Sequence, residues 1–349
     1  MIVVNNEEIE AQFKYFALEC EELEAPLYAS LSDLLSQDES IHRLLSGARK
    51  QQPIANLFFA AVKYLLRTYP EERLAVDYLN AHRGETIDTK DVYRHLQEFC
   101  LRSEKPLNDV IRNRFVQTNV ANRCAYLLPA FKYISSISDG KPISFVEIGC
   151  SAGLNLLWDK YRYTYSDGTT FGDAQSTVHL NSRIEGTGYP SMDVETNEVA
   201  GRFGIDLNPI DVADENEVDW LRALVWPERQ DESGILECAV SNAKGHKDEI
   251  KLFKGEMLDV LPKIFSDLVT STNVCVFDSH VMNQIPNVDR QTLSNMLKNL
   301  SSQINIFHVS VGGQSNPPEI RLSRYCEGMR YSALLGYSDA HGRWSRWVL

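Results

Sequence analysis

The 349-residue sequence lacks long apolar runs and paired cysteines. No apolar run reaches the roughly 18 residues that a membrane-spanning helix needs, so we expect no membrane partner. The opening residues, MIVVNNEEIE, carry neither a basic stretch nor an apolar stretch, so we expect no secretion signal. The seven cysteines are scattered and include no CxxC pair, which is typical of reduced thiols and favours a cytoplasmic location.

Motifs for metals and nucleoside triphosphates are missing as well. The eight histidines are dispersed, and the sequence has no HExxH pair, no EF-hand-like acidic loop and no Walker loop. We therefore expect no metal site and no nucleoside triphosphate site.

Positive charge is scarce. Lys and Arg number 35 against 48 Asp and Glu, which gives a formal net charge of -13 at pH 7. A polyanion would meet a repulsive average field, so nucleic acid is a poor candidate for a partner. The segments 112–123 and 321–346 carry three and five arginines, and we interpret both as solvated faces.

The first 138 residues have the apolar spacing of helices and contain no convincing strand. Pro53 opens one helix, and Asp88 or Thr89 caps another. Asn108 is placed to cap a long final helix, which we expect Pro129 to kink or split. The sequence thus predicts an all-helical N-terminal cap domain over residues 1–138.

From residue 139 onward, apolar strands alternate with helical patterns, as in a doubly wound α/β sheet. The run ISFVEIG has the continuous apolar character of a strand buried on both faces. Asp339-Ala340-His341-Gly342 joins the last two strands, which predicts an antiparallel C-terminal hairpin at the sheet edge. The predicted strands are 143–149, 202–206, 249–255, 273–279, 304–311, 330–338 and 343–349, and the predicted helices are 214–226, 257–268 and 289–300.

Residues 161–200 interrupt this alternation. They are rich in Gly, Ser, Thr and Tyr and follow the first helix of the α/β region. Insertions of that length in a compact domain are usually a lid, a binding loop or a small β excursion. The sequence therefore predicts an α/β domain over 139–349 with an insertion over 161–200.

A glycine loop marks the best candidate for a binding site. In FVEIGCSAGLNLLW, the small residues Gly149, Ser151 and Gly153 lie where a buried strand turns into a helix, so that backbone can approach a ligand closely. A dinucleotide fingerprint is incomplete here, because Ser151 occupies the position of its middle glycine. The residues also satisfy GxSxG, the pattern of a serine hydrolase with Ser151 as nucleophile. Asp278, followed by either His308 or His341, completes the order that such enzymes use.

The pattern also fits a methyl-donor site. Glu147 ends the first strand and precedes a loop written ExGxxxG, and a carboxylate suits the cationic S-adenosylmethionine better than it suits a pyrophosphate. Asp206 ends the second strand, where a carboxylate accepts hydrogen bonds from a ribose diol. Asp206 lies 53 residues beyond Gly153, and the excess over the usual spacing of about 20 approximates the insertion.

Four stretches together resemble an uncharacterised bacterial domain-of-unknown-function family whose fold is similar to class I S-adenosylmethionine-dependent methyltransferases. They are NRCAYLLPA, EIGCSAGLNLLWDKYRY, GIDLNPIDVADENEVDWLRALVWPE and DAHGRWSRWV. The resemblance covers most of the chain. It implies a Rossmann-like sheet and a cofactor pocket for S-adenosylmethionine, but no particular reaction.

The resemblance also assigns cofactor-binding positions. Glu147, Gly149 and Gly153 match the first methyltransferase motif, and Ser151 departs from its middle glycine. Asp206 matches the ribose-binding acid. Glu256, in FKGEMLDVLP, matches the acid that meets the adenine amine, although Asp is more usual there.

Candidate catalytic residues follow the predicted strand 273–279, the region that faces the acceptor in such folds. Asp278 and His280 are placed to accept a proton, whereas helix capping and packing are the structural alternatives. Asn155 and Asp159 share a helix face and either reach the pocket rim or pack the helix. Arg123 either clamps an anionic acceptor or forms a structural ion pair.

The sequence therefore predicts an S-adenosylmethionine-dependent methyltransferase that acts on a small-molecule or peptide-like acceptor. Two alternatives stay open. One is a regulatory protein that binds S-adenosylmethionine or S-adenosylhomocysteine without catalysis, and the other is the GxSxG hydrolase.

Overall fold

The computed structural model describes residues 5–49, 52–85, 87–186, 188, 192–268, 272–313 and 315–348. The helices are α1 (Asn6–Glu22), α2 (Pro26–Leu35), α3 (Glu39–Leu45), α4 (Ile54–Leu66), α5 (Arg73–His82), α6 (Thr89–Arg102), α7 (Glu104–Asn113), α8 (Cys124–Ser136), α9 (Glu215–Leu224), α10 (Gln230–Gly245), α11 (Met257–Asp267) and α12 (Asn287–Leu300). The strands are β1 (Ile143–Ile148), β2 (Arg162–Tyr165), β3 (Thr170–Gly172), β4 (His179–Glu185), β5 (Val199–Asp206), β6 (Ile250–Lys254), β7 (Asn273–Ser279), β8 (Ile306–Gly312), β9 (Glu319–Cys326), β10 (Met329–Ser338) and β11 (Trp344–Trp347).

The chain forms two compact units. The helical unit comprises Met1–Thr118 and Asp214–Gly234, and the sheet unit comprises Asn119–Ala213 and Ile235–Leu349. Helix α8, which sequence analysis groups with the N-terminal helices, therefore belongs to the sheet unit, and α9 belongs to the helical unit.

Aromatic side chains fill the core of the helical unit. Phe16 on α1 meets Trp226 edge to face, with ring centroids 5.2 Å apart. Tyr28 on α2 stacks on Phe59 of α4 at 4.1 Å. These rings are buried, and aromatic burial of this extent supplies much of the free energy that holds small helical units together.

A buried lysine, Lys63, joins α4 to the end of α9. Lys63 of α4 donates to the carbonyl oxygens of Arg222, at 3.0 Å, and Val225, at the end of α9. The last carbonyls of a helix have no partner within the helix, so the ammonium group satisfies them. Burial lowers the pKa of Lys63 to about 8.

The predicted helix starts are right at two positions and wrong at a third. Pro53 and Asp88 are the residues that precede α4 and α6, and the Asp88 side chain accepts from Lys90 N. Asn108 lies inside α7, where its amide donates to the Glu104 carbonyl, so the cap prediction is wrong. Helix α8 continues through Pro129, so the predicted split there is wrong; the predicted long helix is instead interrupted between the end of α7 at Asn113 and the start of α8 at Cys124.

One mixed sheet of eleven strands organises the sheet unit, in the order β3-β2-β4-β11-β10-β9-β8-β7-β1-β5-β6. The five strands β6-β5-β1-β7-β8 are all parallel. Every residue of β1 and β7 is buried, as expected for strands covered on both faces. The α/β fold and all seven predicted strands are confirmed, while β2, β3, β4 and β9 were not predicted individually.

The insertion supplies strands to the sheet. Strands β2, β3 and β4 all lie between residues 161 and 200, and β4 pairs in parallel with β11. The C-terminal hairpin of β10 and β11 is antiparallel, as predicted. Its predicted place at the sheet edge is wrong, because β11 has β4 as a second neighbour.

Among the described residues, no helix is both long enough and apolar enough to cross a membrane. All seven cysteines are free thiols, as predicted, and five of them are buried.

Candidate ligand-binding site

The order of the parallel strands reverses beside β1. The chain passes from β1 to β5 and β6 on one side, and then crosses to β7 and β8 on the other. Ile148, at the end of β1, is in register with Ile205 of β5 and Asp278 of β7. Ligands of open parallel sheets bind in the crevice beyond the carboxyl ends of the strands at such a reversal. The candidate site therefore lies at this edge, entirely within the sheet unit.

The glycine loop leaves β1 at that edge in an unusual conformation. Gly149, Ser151 and Gly153 have φ values of +72°, +49° and +69°. A Cβ atom at Gly149 would lie 2.4 Å from a methyl group of Val281, so only glycine fits there. A positive φ is uncommon for serine, and such conformations persist at sites where the surrounding structure fixes them.

The segment after the loop is a 3₁₀ helix, Leu154–Lys160, and not the α-helix that the apolar spacing indicates. Its first amide does not lack a partner, because Leu154 N donates to Asn119 Oδ1 at 3.1 Å. The amide of Leu154 is therefore already occupied within the protein.

Asp206 joins the end of β5 to the glycine loop. Its Oδ2 accepts from Ser151 N at 2.8 Å, and its Oδ1 accepts from Asn208 N at 2.9 Å. Its carbonyl oxygen accepts from Gly255 N at 2.9 Å, which brings the end of β6 alongside. The structure thus brings together the loop and the acid that were predicted to share a site.

Glu147 is buried one residue before the end of β1 and is 2% exposed. Its Oε1 accepts from Asn155 Nδ2 at 2.9 Å, whereas its Oε2 is buried and has no hydrogen-bond partner among the described residues. Burial raises the pKa of Glu147 to about 8; the charges of Asp206 and Asp278 also raise it, while Asn155 and Arg123 lower it. Glu147 is therefore mostly protonated at neutral pH.

Asp278, one residue before the end of β7, is fully buried and contacts two side chains of β8. Its Oδ2 is 3.0 Å from His308 Nε2, and its Oδ1 accepts from Ser310 Oγ at 3.2 Å. Asp278 therefore orients His308, a pairing that the sequence offers only within the GxSxG interpretation.

His280 follows two residues later in a left-handed conformation, with φ of +61°. Its Nε2 is buried without a partner among the described residues. Burial lowers the pKa of His280 to about 3, and the charges of Arg123 and His341 lower it further. His280 is therefore neutral at physiological pH, and its predicted catalytic role stays a prediction.

Of the other predicted positions, some make structural contacts away from the glycine loop and some contact residues of the candidate site. Glu256 precedes α11, is exposed and makes no side-chain capping bond. Asp159 forms an ion pair with Arg202 at 2.8 Å, which supports the packing alternative, whereas Asn155 reaches Glu147. Arg123 donates to the carbonyls of Ala340 and Ser279, and no described carboxylate pairs with it.

Sequence reasoning missed Ser310 as a partner of Asp278, and it named His308 only as one of two histidines in the hydrolase alternative. The signal was present in INIFHVSV, since His308 and Ser310 are polar residues two apart on one face of an otherwise apolar strand. The register that sets them beside Asp278 joins distant parts of the chain and is not visible locally.

Within the described ranges, no group of three or more His, Cys, Asp or Glu side chains is arranged to hold a metal ion.

The fold and this edge define a mixed α/β protein with a glycine loop flanked by carboxylates at the reversal of a parallel sheet. Residues 10–347 match the profile of a family described as uncharacterized proteins conserved in bacteria, DUF2332, and the chain belongs to this family. A comparison with curated proteins finds no match.

Proposed function

We propose that the protein is an S-adenosylmethionine-dependent methyltransferase that acts on a small or peptide-like acceptor. The observation that carries the proposal is the set of carboxylates around the glycine loop. Asp206 bonds the loop amide of Ser151, Glu147 precedes the loop, and the charges of Asp206 and Asp278 both act on Glu147. Negative charge at this edge disfavours a pyrophosphate and favours a cationic ligand with a ribose diol.

The residues present fit this ligand. Asp206 would accept hydrogen bonds from the ribose hydroxyls, and Glu256 would meet the adenine amine. A cationic group beside Glu147 would satisfy its buried Oε2, which has no partner among the described residues. When bound, the ligand supplies a methyl group on a sulfonium centre, and the protein's part is to position it against the acceptor.

Binding of the cationic ligand should also change the protonation of Glu147. Its pKa of about 8 keeps most of it protonated at pH 7. A cation bound beside it would lower that pKa, so binding at pH 7 releases up to one proton. Titrations in two buffers of different ionisation enthalpy measure this release.

The hydrolase alternative requires substrate to reach the Ser151 hydroxyl, and Ser151 is only 2% exposed. The carboxylate–histidine pair at this edge joins Asp278 to His308, and Asp278 also binds Ser310. The Asp278–His308 pair is one that a hydrolase would use, so it is the burial of Ser151 that favours the methyl-donor site. The regulatory alternative keeps the same ligand and differs only in turnover.

Thermal unfolding with S-adenosylmethionine, S-adenosylhomocysteine, NAD and ATP tests the proposal. At about 100 times the dissociation constant, a ligand adds about 2.7 kcal/mol, which raises the melting temperature by several degrees. We expect this rise only with the two S-adenosyl compounds, and its loss in Asp206→Ala. Asp211→Ala is the matched control, because Asp211 also accepts a backbone amide two residues onward, from Ala213 at 2.8 Å, but is exposed after β5. A rise with NAD alone would overturn the proposal.

Turnover separates the remaining alternatives. The methyltransferase forms S-adenosylhomocysteine when acceptor pools are added, and Ser151→Ala reduces this only modestly. Ester hydrolysis that Ser151→Ala abolishes would support the hydrolase. Binding without turnover across broad acceptor pools would support the regulatory protein.

A further inference from the structure

A groove with a volume of about 720 Å³ lies between α12 and the strands β8, β9 and β10. Ser310 lines it, and Ser310 is in register with Asp278 on the neighbouring strand, so the groove adjoins the reversal edge. Its volume is that of a small-molecule site.

The sheet face that lines the groove is polar across three strands. His308 of β8 is in register with Ser323 of β9, which is in register with Ser332 of β10. Ser310 is likewise in register with Arg321. Further along the same face, the pair of Ile306 and Tyr325 joins the apolar core. Under α12, the side chains of the sheet thus change from apolar to polar. Polar side chains add little to a hydrophobic core, so this change indicates that the polar part of the sheet face has a role other than core packing.

Two arginines in the groove have no carboxylate partner among the described residues. Arg330 donates to Ser323 Oγ at 3.1 Å and to Ser294 Oγ at 3.3 Å. Arg290 donates to Asn287, and its Nε is buried without a partner. Arg321, in the same groove, pairs instead with Glu319.

Uncompensated guanidinium groups are unexpected in a chain with 48 acidic residues, where carboxylates are available to pair with them. A buried N–H of a charged group without a partner costs free energy that a bound anion would recover. His308 also lines the groove, and the contact of its Nε2 with Asp278 Oδ2 at 3.0 Å holds its ring in place.

We propose that this groove binds a small anionic molecule, a phosphate ester or a carboxylate that also carries hydroxyl groups. Arg290 and Arg330 bind the anionic group. The serines of β8 to β10 and His308 bind the hydroxyl groups. This inference does not depend on what the glycine loop binds.

The test is calorimetric titration of the whole protein with inorganic phosphate, glycerol 3-phosphate and malate, at constant ionic strength in sodium chloride. We expect saturable binding of phosphate compounds or of malate, which identifies the anionic class. Arg290→Gln and Arg330→Gln should each weaken it about tenfold, the effect of one lost charged hydrogen bond. Arg183→Gln is the control, since it makes the same charge change at a side chain that is 69% exposed on β4.

Two results would overturn the proposal: no saturable binding of any of the three anions at millimolar concentration, or equal weakening in Arg183→Gln. Circular dichroism and melting temperature show whether each variant is folded. Asp206→Ala should bind these anions as the unaltered protein does. Failure of the methyl-donor proposal and failure of this one are therefore separate outcomes.

Discussion

Glu147 makes the stability of the sheet unit depend on pH in a direction opposite to that of most carboxylates. Its pKa rises from an ordinary value of 4.5 to about 8, chiefly because the group is buried. Between these values the folded protein keeps a proton that the unfolded chain releases. Stability therefore falls as pH rises from 4.5 to 8, and Glu147→Gln, which mimics the protonated acid, should not show this loss.

The magnitude follows from the pKa. One pKa unit corresponds to 1.36 kcal/mol, so the rise implies a loss of about 5 kcal/mol across this range. The glutamine keeps an oxygen that can accept from Asn155, as Glu147 Oε1 does at 2.9 Å. We therefore expect Glu147→Gln to match the unaltered protein near pH 4.5 and to exceed its stability by several kcal/mol at pH 8.

Urea unfolding followed by tryptophan fluorescence, at intervals from pH 4.5 to 8.5, measures the difference between the two proteins. Taking the difference cancels the contributions of all other titrating groups. Glu185→Gln, at a side chain that is 41% exposed on β4, is the control and should give a small, nearly constant difference. A Glu147→Gln difference that does not change with pH would refute the reasoning.

Three further predictions concern single side chains. Gly149→Ala should cost about 1–3 kcal/mol in urea unfolding, because its Cβ would lie 2.4 Å from a valine methyl; Gly140→Ala, with a similar φ and open space, isolates the cost of the conformation. Lys63→Met should abolish the gain in stability expected between pH 8 and 10.5, where the unfolded chain still binds the proton that the folded lysine has lost, and pH-dependent unfolding checks this. Asp278→Ala should cost about 1–3 kcal/mol by leaving His308 without its acceptor, and an unchanged urea midpoint would contradict this.

The strands of the parallel segment were predictable because burial on both faces leaves a continuous apolar run. ISFVEI and NVCVFDS are such runs, and both strands form where expected. Strand β9 lacks this signal, since its sequence EIRLSRYC carries groove-lining arginine and serine on one face. The insertion strands are short and polar, and they form by pairing with one another and with β11, a partner distant in sequence.

Helix ends were predictable where a local cap decides them. Asp88 caps α6 through its own side chain, an interaction over two residues. Asn108 has the same capping chemistry but lies within α7, so tertiary packing overrides its preference. Pro129 is tolerated inside α8, a helix that is buried along most of its length.

The candidate site was predictable in part. The rule that parallel strands end at one edge brought Glu147, Asp206 and Asp278 to a common region, and the charges of both aspartates do act on Glu147. The link from Asp206 to Ser151 N depends on the loop's left-handed backbone, which the sequence does not specify. The pairing of Asp278 with His308 depends on strand register.

The most direct test of the proposed function is a calorimetric titration of S-adenosylhomocysteine into the unaltered protein and into Asp206→Ala. The proposal predicts saturable binding at one site per chain, an affinity at least about tenfold lower in Asp206→Ala, and an unchanged affinity in Asp211→Ala. Absence of binding heat at millimolar ligand, or equal affinity in Asp206→Ala and the unaltered protein, would contradict it.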